Sequence, residues 1–307
     1  MVNALLLRAS PTTEPSGDEQ VRRRPPPTDR ILPGTRALLV AFAGFTLLAA
    51  VDLSVFTAVT ERYFAWTIVA QPGAAFLGAA YAAGFVLSLL CLRRRLWSEV
   101  RIAVSTVSAF TVVTLVATML HLDRFHLFAG GSVARFAAWL WLIVYVVVPV
   151  LSVVVIVRQE RRRPTPVRVR RPMPNWLTAL LAGQGVVLFA AGVVLFAGGA
   201  TRQPQPMEWT GFWPLPMGLV CVQAMGAWLM SFGFAAAFAI RERDLNRLAV
   251  SALSYAAFGG FQLLVVVRYR DQVSPTDPWL WGYLILLVSI VIAGLHGWRL
   301  TRPMLDA

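Results

Sequence analysis

Eight long apolar runs, separated by short polar segments, cross this 307-residue chain from near its start to near its end. No other feature restricts the fold as strongly. A run of about 20 residues, rising 1.5 Å per residue, spans the ~30 Å hydrocarbon layer of a bilayer. Only helices and closed barrels satisfy their backbones in lipid. Barrel strands would alternate apolar and polar residues over about ten positions. These runs are longer and apolar on every face, so helices are expected. The predicted spans are Ala37–Val59, Ala74–Leu92, Ile102–Leu122, Ala137–Val157, Trp176–Gly198, Met217–Ile240, Leu248–Val267 and Leu280–Leu300. Only 14% of the residues are charged, against roughly 25% in a soluble domain. The expected class is therefore an all-α integral membrane protein with eight transmembrane helices.

All 28 basic residues are arginine. Without lysine, no Schiff base can hold retinal or pyridoxal phosphate, and no phosphate-loop lysine can form. If the chain starts in the cytoplasm, 22 of the 28 arginines fall on cytoplasmic segments. Only Arg62, Arg124, Arg135, Arg202, Arg268 and Arg270 fall outside. That bias sets the orientation, with both termini cytoplasmic. The net charge of +13 then belongs to membrane flanks that attract anionic lipid headgroups, rather than to a nucleic-acid interface. Trp66, Trp139, Trp141, Trp209, Trp213, Trp279 and Trp281 are placed at the outer boundary, and Trp97, Trp176 and Trp298 at the inner one. Indole rings favour headgroup depth, so most of these are expected to be anchors.

The first four runs resemble the last four. Arg101-Ile-Ala-Val-Ser-Thr-Val-Ser108 is echoed 146 residues later by Arg247-Leu-Ala-Val-Ser-Ala-Leu-Ser254. Trp139-Leu-Trp141 recurs as Trp279-Leu-Trp281, Ala37-Leu-Leu39 as Ala179-Leu-Leu181, and Gly78-Ala79 before Tyr81 resembles Gly226-Ala227 before Trp228. The matches keep the same order. Each unit has an even number of spans, so the halves enter the membrane alike and form a parallel repeat about an axis along the membrane normal. The expected organisation is a disordered cytoplasmic tail over 1–36, a first four-helix repeat over 37–157, a basic cytoplasmic linker over 158–175 and a second repeat over 176–302.

Candidates for chemistry are few. Asp52 lies in the outer third of the first span, where a carboxylate is costly unless wet or paired, so it is a functional candidate; the alternative is that it reaches the outer water or pairs with an outer arginine such as Arg62. The outer segment His121-Leu-Asp-Arg-Phe-His126 gathers His121, Asp123, Arg124 and His126, which Glu61 and Asp52 could approach from the neighbouring loop. Trp66 completes this outer set. The spacing matches no metal site, and the second repeat lacks the histidines. Ser105 and Ser108 share one helix face, as do Ser251 and Ser254; such stripes let helices approach and hydrogen-bond, or else line a polar path. Helix packing is the leading expectation. Cys91 and Cys221 fall near opposite faces, so no disulfide is expected. His296 stands alone in the last span. Gly183-x-Gly185 lies inside a span, so it is read as a packing device rather than a dinucleotide motif. Pro149 interrupts the fourth span and is expected to kink it. No metal or cofactor is expected.

Phe64-Ala-Trp-Thr-Ile68, then Pro72, then Ala74-Ala-Phe-Leu-Gly-Ala79 resembles a signature of uncharacterised bacterial multi-span membrane proteins, from which Gln71 and Gly73 depart. The resemblance implies architecture only and brings no activity with it; the expected location is a bacterial cytoplasmic membrane. The leading functional expectation is a protein that binds or transports a small molecule or lipid at the interface of two repeats. The scarcity of charge within the spans argues against ion or proton coupling. A non-catalytic membrane subunit or scaffold, with a membrane-protein partner or as a homo-oligomer, is the alternative. An intramembrane enzyme using Glu61, His121 and Asp123 is the third reading.

Overall fold

The computed structural model describes residues 29–162, 171–200, 212–214 and 217–301. Among the described residues eight long helices form: α1 (Pro33–Val55), α2 (Gln71–Leu92), α3 (Trp97–Leu120), α4 (Ser132–Glu160), α5 (Asn175–Ala200), α6 (Leu219–Glu242), α7 (Ala249–Arg268) and α8 (Pro278–Thr301). Each is long and apolar enough to cross a membrane, and the chain is a multi-pass membrane protein. The helices lie within about five residues of the predicted spans. Their starts follow helix chemistry: prolines stand in the first turns of α1 and α2, where a missing N–H costs nothing.

Burial separates centre from rim. In the apolar stretches of α2 and α6, 61% and 56% of residues are buried, against 22% in α4 and 28% in α5. The central helices α2, α3, α6 and α7 are edged by α1, α4, α5 and α8. Consecutive helices pair as hairpins (α1 with α2, α3 with α4, α5 with α6, α7 with α8), and α2 packs on α7 while α3 packs on α6. By contrast α2 and α3 touch little.

Close approach depends on glycine at the tightest crossing. A Cβ on Gly192 of α5 would sit 2.7 Å from the Met230 backbone nitrogen and 2.8 Å from the Gly226 carbonyl of α6. Gly185 and Gly199 of α5 meet α6 in the same way, one two turns before and one two turns after. Gly183 has open space instead. The packing role expected for Gly183-x-Gly185 thus falls on Gly185.

Contacts gather the start of α1, the turns α2–α3 and α6–α7, the end of α4, the starts of α5 and α7 and the end of α8 at one end of the bundle, called basal below; the opposite end is distal. Residues 29–36, expected in a disordered tail, are folded there. Trp97 N donates to Asp29 O at 2.7 Å, and Ile31 N to Arg95 O at 3.0 Å. Gln159 closes the strap: its Oε1 accepts from Leu32 N at 3.1 Å, and its Nε2 donates to Arg30 O at 2.9 Å. Residues 1–28 lie outside the described residues. Of the expected linker, 158–160 end α4, and 163–170 lie outside the described residues. Helix α4 runs on through Pro149, where Ser152 Oγ donates to the Pro149 carbonyl at 2.8 Å. Both cysteines are free and buried.

Candidate functional site

The distal half of the interior is packed with aromatic rings. The segment after α1 makes a one-turn helix (Thr60–Tyr63) and then runs extended, burying Phe64, Ala65, Trp66 and Ile68. Thr60 holds it there, accepting from Ile68 N at 2.8 Å. It pairs with the α3–α4 turn: His126 N donates to Ala65 O at 2.9 Å, and His126 Nε2 lies 3.0 Å from Thr67 Oγ1. Trp66 then packs edge-on against Trp141, ring centroids 4.9 Å apart. The contacts continue through Trp141–Tyr145 at 4.5 Å, the Tyr81–Tyr145 hydroxyl pair at 2.6 Å, Tyr81–Trp228 at 5.5 Å, Trp228–Phe232 at 6.0 Å and Phe232–Tyr255 at 5.7 Å. Edge-to-face pairs at such separations are favourable beyond simple burial. Within the segment 64–79, Trp66 enters this column and Phe64 packs beside it, 5.6 Å from Trp141.

The basal half of the same interior holds a cavity of about 90 Å³. It opens between α3, α5, α6, α7 and α8, where small residues stand opposite one another: Ala103, Ala236, Ala252 and Gly294. Its wall is largely apolar, with Ile102, Leu181 and Phe232. Polar atoms come from Thr106, Ser251, Ser254 and Tyr255. Thr106 and Ser254 spend their hydroxyls on the carbonyls of Ile102 (2.8 Å) and Ala83 (3.1 Å). Tyr255 OH donates to Gln184 Oε1 at 3.3 Å, and Gln184 Nε2 donates to Ser289 Oγ at 2.8 Å. A hydroxyl can still accept after donating. Tyr255 and Ser251 are therefore the polar handles of an otherwise greasy chamber. Apart from the stripe Ser251 and Ser254, the wall residues look like ordinary span filling, so composition gave little sign of this chamber.

The sequence candidates scatter. Ser251 and Ser254 line the basal cavity, Ser108 is buried and accepts from Ser152 Oγ at 2.9 Å, and Ser105 is half-buried. Asp52 is half-buried near the distal end of α1; its Oδ1 is enclosed with no hydrogen-bond partner, and Arg62 does not pair with it. Glu61 is exposed on the one-turn helix. His121 is 1% exposed and joins α3 to the end of α5, with Nε2 3.1 Å from Gly199 O. Asp123 and Arg124 are exposed and lie 3.5 Å apart. Among the described residues no three His, Cys, Asp or Glu side chains come together as a metal-holding group, so Glu61, His121 and Asp123 do not assemble one.

Tryptophan divides in two. Trp139, Trp176, Trp279 and Trp281 are exposed near helix ends, as anchors should be. Trp66, Trp97 and Trp141 are core residues instead, each 4% exposed or less. Residues near a span end look alike in sequence whether they point to lipid or inward. Trp209 lies outside the described residues.

At the basal end, charges are organised. Arg101 bridges Glu160 of α4 at 2.8 Å and Glu242 of α6 at 3.0 Å, and Trp97 Nε1 donates to Glu160 at 2.8 Å. Arg247 pairs with Glu242 and Asp244. The two arginines that open the echoed serine motifs thus meet on one carboxylate. Comparison with known protein families, curated proteins and solved structures finds no match.

Proposed function

We propose that the chain is a duplicated bundle in a bacterial cytoplasmic membrane, with its basal end in the cytoplasm, that binds or carries an apolar small molecule or lipid chain between its two halves. The orientation rests on the arginine bias. The duplication draws support from contacts that exchange when the halves exchange: α2 on α7 matches α6 on α3. The straps match as well. Trp97 N donates to Asp29 O, and Leu245 N donates to Arg171 O at 2.9 Å, each donor a few residues ahead of the arginine that opens a serine motif.

The observation that carries the function is the basal cavity, walled by both halves and furnished with Ser251 and Tyr255. Drug-sized ligands fill pockets of about 300–1,000 Å³. A cavity of about 90 Å³ fits one segment of a chain-like apolar molecule with a neutral hydrogen-bonding group. The aromatic column fills the distal half of that interface, which favours holding a ligand from the cytoplasmic side over open passage. The test is purification in mild detergent and mass spectrometry of what co-purifies, for the wild type and Ser251→Leu. The wild type is expected to retain a lipid or apolar metabolite that the variant loses at least tenfold. Equal retention would sink the reading.

A second reading, a non-catalytic membrane subunit, draws on α4. Val133, Phe136, Ile143, Val147, Val150 and Val154 leave a long uncovered apolar face on it. Lipid covers such a face equally well. A stoichiometric protein partner in the same purification would favour this reading.

A further inference from the structure

A second cavity lies at the basal end, between the first turn of α1 and the last turns of α4. It measures about 400 Å³ and is lined by Leu32, Gly34, Thr35, Val155, Arg158 and Arg162, together with Pro33. Its chemistry is opposite to that of the chamber between the halves. Two guanidinium groups face it, and among the described residues neither Arg158 nor Arg162 makes a side-chain hydrogen bond or ion pair. The carboxylate next in the chain, Glu160, is engaged elsewhere, by Arg101 and Trp97. Gln159 is held by the α1 strap through Leu32 and Thr35. Among the described residues the two arginines have no carboxylate partner, while Arg94, Arg101 and Arg247 have one.

We infer that this cavity is a binding site for the phosphate group of an anionic membrane phospholipid. Arginine presents planar donors that suit phosphate oxygens, and an α1 first turn on the opposite wall adds a favourable helix dipole. Val155 lines the cavity, and the exposed Leu151 and Val154 continue from it toward the bilayer interior. A phosphate held by the arginines therefore leaves room for acyl chains along α4. This geometry favours a lipid over a free anion.

The other half of the chain offers an internal control, and this step rests on the proposed duplication. Gly34 corresponds to Trp176, and Arg158 to Trp298. In that half Trp176 packs on His296, ring centroids 5.1 Å apart. A Cβ on Gly34 would meet nothing within 4 Å, so the first half keeps open what the second half fills with an indole. Among the described residues the site is therefore seen in the first half.

The test uses the full chain in neutral detergent, with phosphatidylglycerol, phosphatidylcholine and inorganic phosphate as probes and native mass spectrometry as the readout. The wild type should bind phosphatidylglycerol at least tenfold more tightly than phosphatidylcholine. Arg158→Gln with Arg162→Gln should weaken phosphatidylglycerol about 30-fold, the effect of removing two surface cations from an anionic lipid contact. Gly34→Trp keeps both arginines and should weaken it comparably by filling the cavity. Arg93→Gln with Arg95→Gln, exposed at the same end but outside the cavity, should change it less than threefold. Equal binding by the Arg158/Arg162 variant would overturn the site. So would equal losses in the Arg93/Arg95 control, which would mark diffuse charge attraction, or unaltered binding by Gly34→Trp. Inorganic phosphate binding as tightly as the lipid would overturn the lipid assignment. Arg158, Arg162 and Gly34 line none of the chamber between the halves, so losses in these variants separate this site from whatever lipid the chamber holds.

Discussion

At the scale of single residues, the interior is set by atoms that have no room or no second partner. Gly192 and Gly183 look interchangeable in the sequence, since both sit in a helix that is apolar all round and shows no face to read. Their surroundings differ completely. Gly192→Leu must drive α5 from α6, because backbone atoms stand under 3 Å from where its Cβ would go. Overpacking of this kind costs about 1–3 kcal/mol or more, so the detergent melting temperature should fall by several degrees. Gly183→Leu, which meets open space, should leave it within a degree or two. The Tyr81–Tyr145 pair gives a second case. Both hydroxyls are buried and bonded to each other at 2.6 Å. Tyr81→Phe or Tyr145→Phe alone strands a buried hydroxyl, which costs about 1–3 kcal/mol, whereas removing both is nearly neutral. A double-mutant cycle read by thermal denaturation should show the double variant more stable than either single one; strictly additive losses would contradict the pairing.

At the scale of elements, what the sequence made legible was whatever the bilayer dictates. Hydrocarbon thickness fixes the length of an apolar run, so all eight helices could be drawn within a few residues. Helix-to-helix partners could not, because a span apolar on every side carries no amphipathic period. The strap over residues 29–36 escaped for a related reason. A polar, proline-bearing stretch reads as disordered on its own composition, and its partner Gln159 stands 127 residues from Leu32. The serine stripes were legible as pairs on one face, but not that Ser254 would reach Ala83 of α2 while Ser108 would stay with Ser152 of α4. Glu242 shows how far one side chain can tie elements together, since it meets both Arg101 of α3 and Arg247 ahead of α7. Glu242→Gln would leave Arg101 with Glu160 and Arg247 with Asp244, but would remove the carboxylate that the two share. Losing hydrogen bonds to a charged group costs on the order of 1–3 kcal/mol. Hydrogen exchange should therefore quicken in the α6–α7 turn and the first turn of α3, with the distal ends unchanged; uniform protection would show that the contact carries no stability.

At the scale of the whole molecule, the two sequence halves are not two compact bodies side by side. Within each half the hairpins α1–α2 and α3–α4, or α5–α6 and α7–α8, are held apart, and each packs on a hairpin from the other half through α2 with α7 or α3 with α6. Buried polar contacts run the same way. Gln262 Nε2 of α7 donates to the Phe76 carbonyl of α2 at 3.0 Å, and Ser254 Oγ to the Ala83 carbonyl at 3.1 Å. Separating the halves would therefore leave donors such as these in hydrocarbon, where each unmade bond costs several kcal/mol. A chain divided between residues 162 and 171 keeps every one of these contacts available once both pieces are inserted. Co-expressed pieces should purify together through a tag on either one and melt within a few degrees of the intact chain, while each piece alone should be degraded or aggregate. Stable, monodisperse single halves would mean that the interlaced contacts do not hold the bundle, and both the cavity between halves and the exchange of contacts that supports the duplication would lose their basis.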